Sequence, residues 1–154
     1  MDSIVLNPLP FRIDAAAVLA RMRIKPGTRA ETEVLDLIAE AQTIARPKAM
    51  YRIGYIDAKE PDAVVISGIR FTSRVLRVNL DSLQRVFAYF CTSGRELEAW
   101  AEGQEDMLAR YYADAINQAV LGSAIAAFQA HLREAYSVPQ MAGMNPGSLG
   151  DWPI

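Results

Sequence analysis

Apolar side chains recur at Leu108, Tyr111, Tyr112, Ala115, Ala119, Val120, Ala124, Ala127 and Phe128, the three-and-four spacing of a helix. Acidic Glu105 and Asp106 stand just before this run and suit the positive end of a helix dipole. Between Ala115 and Ala130 there is no Asp, Glu, Lys, Arg or Pro. A helix from about Glu105 to Ala135 is therefore expected, its middle apolar nearly all round and covered on more than one side. Ala119, Gly122, Ser123 and Ala126 are small and share a face, which predicts close approach of another backbone there, because Gly costs about 1 kcal/mol against Ala inside a helix.

The rest of the chain reads as material that covers this helix. Ile4 to Ile13 holds Pro8 and Pro10 and is an edge strand or extended lead-in at best. Asp14 is a natural N-cap for a first helix that stops near Ile24, before Lys25-Pro26-Gly27. A second helix spans about Ala30 to Ala45, with Val34, Leu37, Ile38, Ala41 and Ile44 on one face, and Arg46-Pro47 ends it. From Lys48 the period becomes extended, and apolar residues on both alternations place this strand centrally or under cover on both sides. Ala63 to Ser67 is a second strand, which Ile69 to Phe71 can prolong past Gly68. The short polar link through Pro61 makes these two strands an antiparallel hairpin. Thr72 or Ser73 caps a short helix to about Leu80, and Arg85 to Thr92 is the most apolar strand. Ser93-Gly94 then turns into a helix from Arg95 to Glu102. The order implies an α+β fold: one domain over residues 1–154, with a small mixed or antiparallel sheet packed with helices around the long Ala-rich C-terminal helix. Residues 1–24 form its lead-in and first helix, and residues 138–154 a proline-glycine tail loop.

Composition narrows the function. Hydrophobic residues make up 51% and charged residues 22%, as in an ordinary globular chain able to build a core without staples. A formal charge of −2 gives no electrostatic ground for nucleic-acid binding. The longest uncharged run is shorter than a membrane span needs, and Asp2 with the early prolines makes no secretory signal. Cys91 is the single cysteine, so no internal disulfide forms, which fits a reducing cytoplasm. Cys91 with His131 makes neither a thiolate-rich metal site nor a nucleophile and base pair, and both read as structural. Thr92-Ser93-Gly94, at a strand-to-helix turn, offers hydroxyls and amides either to the helix end or to a polar ligand.

The tail departs most from ordinary composition. Met141 to Ile154 holds three glycines, two prolines and Trp152. Gly147 permits backbone angles closed to other residues and Pro146 fixes the angle before it, so the stretch reads as a shaped loop, the alternative being a flexible C-terminal tail.

Asn145-Pro146-Gly147 followed by Gly150-Asp151-Trp152-Pro153 resembles the proline-glycine loop of the reactivation domain of cobalamin-dependent methionine synthase and its short stand-alone relatives. Arg46-Pro47-Lys48-Ala49, Phe71-Thr72-Ser73 and Thr92-Ser93-Gly94-Arg95-Glu96-Leu97-Glu98 resemble further pieces of that family in the same order, over roughly residues 24–154. The resemblance implies a domain that binds S-adenosylmethionine and docks on a corrinoid-binding protein or methyltransferase. There the family returns oxidised cobalamin to its methylated form with an external electron and the sulfonium methyl group. Carried over residue by residue, it implies that Asn145, Pro146, Gly147 and Ser148 lie along the ligand, that Trp152 supports the loop, and that Thr92 and Ser93 stand behind it. The full-length enzyme has an Arg at the loop start and a Glu in the long helix, where this chain has Met144-Asn145 and Ala126-Ala127. That difference leaves room for an alternative, a protein-interaction module on the same scaffold without the ligand site. A methyltransferase in its own right lacks a glycine-rich loop between strand and helix.

Overall fold

The computed structural model describes residues 2–147 and 149–153. Its elements, in order, are β1 (Ile4–Leu6), α1 (Ala15–Arg21), α2 (Arg29–Ile44), β2 (Lys48–Lys59), β3 (Ala63–Ile66), β4 (Ile69–Thr72), α3 (Arg74–Asn79), β5 (Arg85–Thr92), α4 (Arg95–Glu102) and α5 (Met107–Tyr136). The fold is α+β. The chain divides into two compact units, and the division falls inside β1, β2 and β5.

One unit is mainly helical and is built from residues 5–50 and 90–138. Its helices begin where short polar side chains satisfy free amides: Asp14 accepts from Ala17 N at 3.0 Å, Thr28 from Glu31 N at 3.3 Å and Asp106 from Ala109 N at 2.8 Å. At about 1.5 Å per residue, α5 is roughly 45 Å long. Helices α1, α2 and α4 all pack on it. Val34, Ala41, Leu97, Tyr112, Ile116 and Val120 form the centre of this core.

Burial on α5 follows a four-residue step through Tyr112, Ile116, Val120, Ala124, Phe128 and Leu132, with Ala113 also buried, whereas Asp114, Gln118, Gly122, Ala126 and Ala130 are exposed. The helix thus has one broad covered face and a solvent stripe, and this corrects the small-residue expectation. Ser123 accepts from Arg12 N at 2.8 Å and Ala119 packs on the core, but Gly122 and Ala126 face water. A Cβ on Gly122 would meet nothing within 4 Å. Alanine and glycine carry too little polarity to mark inside from outside, so spacing alone assigned them to the wrong face.

The other unit holds Tyr51–Tyr89 and the tail from Pro139. The sheet runs β1-β2-β3-β4, with β5 also paired to β2, which makes β2 central. Its cover is one-sided at the start, where Ala49 and Tyr51 are buried and Met50 and Arg52 exposed. Strands β2 and β3 pair antiparallel, with a register shift between Ile56 and Ala58. Ile69 to Phe71 does not prolong β3. Ser67 and Gly68 take positive φ (48° and 79°), the pattern of a tight two-residue hairpin, and β4 folds back antiparallel with Ile66 opposite Ile69. Val64, Leu76 and Leu80 make the small core of this unit, with Ile56, Ile66, Phe71 and Val86 packed against it. Strand β5 is apolar in sequence but not hidden: Phe90 is 76% exposed.

Candidate functional site

The tail is tied to the start of α3. Ser73 ends the extended chain after β4, and its Oγ accepts from Leu76 N at 3.0 Å as the helix cap. The same hydroxyl donates to Asp151 Oδ2 at 2.6 Å, and Val75 N–H donates to that oxygen at 3.0 Å. Ser73 is 2% exposed, and its hydroxyl has both a donor and an acceptor partner. The Ser73 hydroxyl, followed by the Val75 amide, holds the Asp151 carboxyl below the usual aspartate range. Partial desolvation opposes this, and the amide and positive charge of Arg74 add to it.

Between these anchors the tail closes on itself. Gly147, at φ 84°, donates its N–H to Trp152 O at 2.7 Å, and Trp152 N–H donates to Leu149 O at 3.1 Å. Met144 and Trp152 pack on the Val64, Leu76 and Leu80 core, and Asn79 Nδ2 donates to Met144 Sδ at 3.3 Å. What results is a half-open cavity of about 270 Å³ lined by Val75, Gly143, Met144, Asn145, Leu149 and Trp152. Among the described residues, the lining carries no charged side chain. Its polar equipment is the Asn145 amide, which both donates and accepts, together with peptide groups of the loop. Apolar walls around one amide suit a flat, uncharged part of a small molecule.

Of the expected site residues, Asn145 lines this cavity, Gly147 and Trp152 close the loop that forms it, and Pro146 is exposed beside it. Ser148 lies outside the described residues. Thr92 and Ser93 belong to the helical unit, where their hydroxyls are occupied. Thr92 Oγ1 accepts from Gly94 N at 3.1 Å, and the Ser93 hydroxyl is hydrogen-bonded to Asn117 Oδ1 on α5. Gly94 is required at that turn: its φ is 103°, and a Cβ there would come within 2.7 Å of Arg46 O. The turn therefore serves packing between α2 and α4.

Asp151, Val75 and Leu149 were missed as site residues. An acid beside a tryptophan in a glycine-rich tail was the available signal for Asp151. Its partner, 78 positions earlier, carries only the mark of a helix cap.

The chemistry considered for Cys91 does not develop. Burial pushes its thiol above the ordinary range, only partly offset by a hydrogen bond at the Thr92 backbone, so it is not an activated thiolate. Among the described residues, no group of three or more His, Cys, Asp or Glu is placed to hold a metal ion, and no helix is long and apolar enough to cross a membrane. In the helical unit a second recess of about 260 Å³ is bounded by Arg12, Asp14 and Arg21 and by Ala115, Ala119 and Ser123 of α5. Arg21 reaches across to Gln118 Oε1 at 3.0 Å.

Against models of known protein families and against curated proteins, the chain gives no match.

Proposed function

We propose that this chain is a cytoplasmic accessory domain, similar to the activation domain of methionine synthase, that binds S-adenosylmethionine and serves reductive reactivation of a cobalamin-dependent methyltransferase. One observation carries the reading: the Asn145-Pro146-Gly147 loop is folded back through Trp152 and flanks a cavity, where a frayed terminus would have none. At about 270 Å³ the cavity lies just below the roughly 300–1,000 Å³ of sites that enclose a whole drug-sized ligand. It accommodates one end of the ligand, and its neutral, largely apolar lining suits the adenosine end, with Asn145 and loop peptide groups for the polar edge. When bound, S-adenosylmethionine would supply the methyl group, leaving as the thioether S-adenosylhomocysteine, to a corrinoid held by the partner protein and reduced by an external electron donor. The chain contributes binding and orientation.

Calorimetric titration with S-adenosylmethionine tests this. The wild-type chain binds, and Gly147→Val, which forces a β-branched residue to φ 84°, weakens binding at least tenfold. Absence of wild-type binding overturns the reading.

A second reading has its own support. Among the described residues the cavity lining lacks charge, and Met144-Asn145 and Ala126-Ala127 stand where the full-length enzyme places its ligand-binding Arg and Glu. A protein-interaction module on this scaffold binds a protein partner with an affinity that added S-adenosylmethionine leaves unchanged.

A further inference from the structure

We infer that Asp151 is the positioning residue of the tail cavity: its carboxylate, fastened to Ser73 and Val75, sets the loop wall that faces a ligand. Of the six described lining residues, Gly143, Met144, Asn145, Leu149 and Trp152 belong to the tail, and the sixth is Val75 of α3. The two sides are joined at the wall itself. Val75 lines the cavity and donates its backbone N–H to Asp151 at 3.0 Å. Asp151 adjoins Trp152, whose carbonyl takes the Gly147 amide, so the position of the carboxylate passes through one residue to the loop carrying Asn145.

Both bonds fall on a single oxygen, Oδ2, which is charge-assisted as acceptor and twice engaged. An amide oxygen in the same place accepts the same two bonds without the charge. Alanine accepts neither. The competing account is that Met144 and Trp152, packed on Val64, Leu76 and Leu80, hold the tail unaided.

The affinity arm of the test rests on the proposed ligand, and the exchange and emission arms do not. The chain has two tryptophans, and Trp100 sits in the helical unit with its indole N–H on Glu40. Trp100→Phe therefore leaves Trp152 emission as a reporter of the tail. In that background, Asp151→Ala shifts the emission to longer wavelength and speeds amide exchange over residues 143–152 at least tenfold, while exchange in α5 stays at its wild-type rate. The affinity for S-adenosylmethionine falls at least tenfold, and Asp151→Asn recovers most of all three. Emission and exchange unchanged in Asp151→Ala overturn the inference, since packing then suffices. A loosened tail with unchanged affinity overturns it as well. A loosened tail in a chain whose wild type binds no S-adenosylmethionine removes the proposed ligand and supports Asp151 as the fastening. If Asp151→Ala also raises exchange in α5, Asp151→Ser, which is too short to bridge to Ser73, is held to the same criteria.

Discussion

Ser73 and Ser93 stand in similar sequence, each after a threonine at the end of a strand and just before a helix, and the chain uses them differently. Among the described residues they are the buried polar side chains. Ser73 caps its own helix and then takes up a carboxylate from the tail. Ser93 leaves the cap position to Gly94 and is bonded to Asn117 in the middle of the long helix. The first serine therefore helps to secure a loop that lies outside regular structure. The second bonds to α5 in a unit whose core, with Leu97 and Ile116 at its centre, is apolar. The same dipeptide makes a fastening in one unit and a polar detail within a large core in the other.

The most severe way to test that contrast is to open the helical core. Phe128 is 1% exposed on α5, and Phe128→Ala is expected to cost about 3–5 kcal/mol in denaturant unfolding. The serines come next. Ser93→Ala leaves the Asn117 carbonyl oxygen without its donor and is expected to cost about 1–3 kcal/mol, read in the same unfolding transition. Ser73→Ala removes a helix cap, at about 1 kcal/mol, and releases the tail as well. Its signature is faster exchange over residues 143–152, which Ser93→Ala does not produce. If the two alanine variants loosen the tail equally, the contrast is wrong.

A smaller change, of opposite sign, checks the solvent stripe of α5. Gly122→Ala adds a Cβ into open space within a helix and is expected to stabilise by up to about 1 kcal/mol, whereas a close-packed Gly122 would make it destabilising.

The least visible effect at neutral pH is titration of Asp151. Its folded-state pKa is lowered by Ser73, Val75 and Arg74, so its contribution is fully present above the ordinary aspartate value of 3.8. The contribution is lost as pH falls through the lower folded value. Trp152 emission in Trp100→Phe should therefore hold steady from neutral pH down to that value and shift only in stronger acid, and Asp151→Asn should remove this step.

How far the chain could be read before its structure depended on whether each signal was local. The cap at Asp14, the cap at Thr72 or Ser73, the acidic start of the long helix at Glu105-Asp106, the stop at Arg46-Pro47 and the strand from Arg85 to Thr92 all rest on neighbours within four residues, and the elements lie close to where that reading put them, with Ser73 and Asp106 as the caps. Errors arose where the deciding contact was absent from the neighbourhood. Gly68 looked like a break within one strand, because only the backbone angles of Ser67 and Gly68 show that the chain reverses. Strand β5 is the most apolar in sequence and yet leaves Phe90 exposed, because hydrophobicity records what a side chain prefers and not whether any element covers it.

The amino-acid order alone therefore determined the α+β class, the 30-residue helix and a shaped proline-glycine tail, since periodicity, capping and backbone restriction act over a few residues. Only the tertiary structure decided which face of α5 meets water, and that the tail is fastened through Asp151 to Ser73 and Val75. The physical reason is range. A hydrogen bond across 78 positions exists only after β3, β4 and α3 have folded into a surface that can receive it.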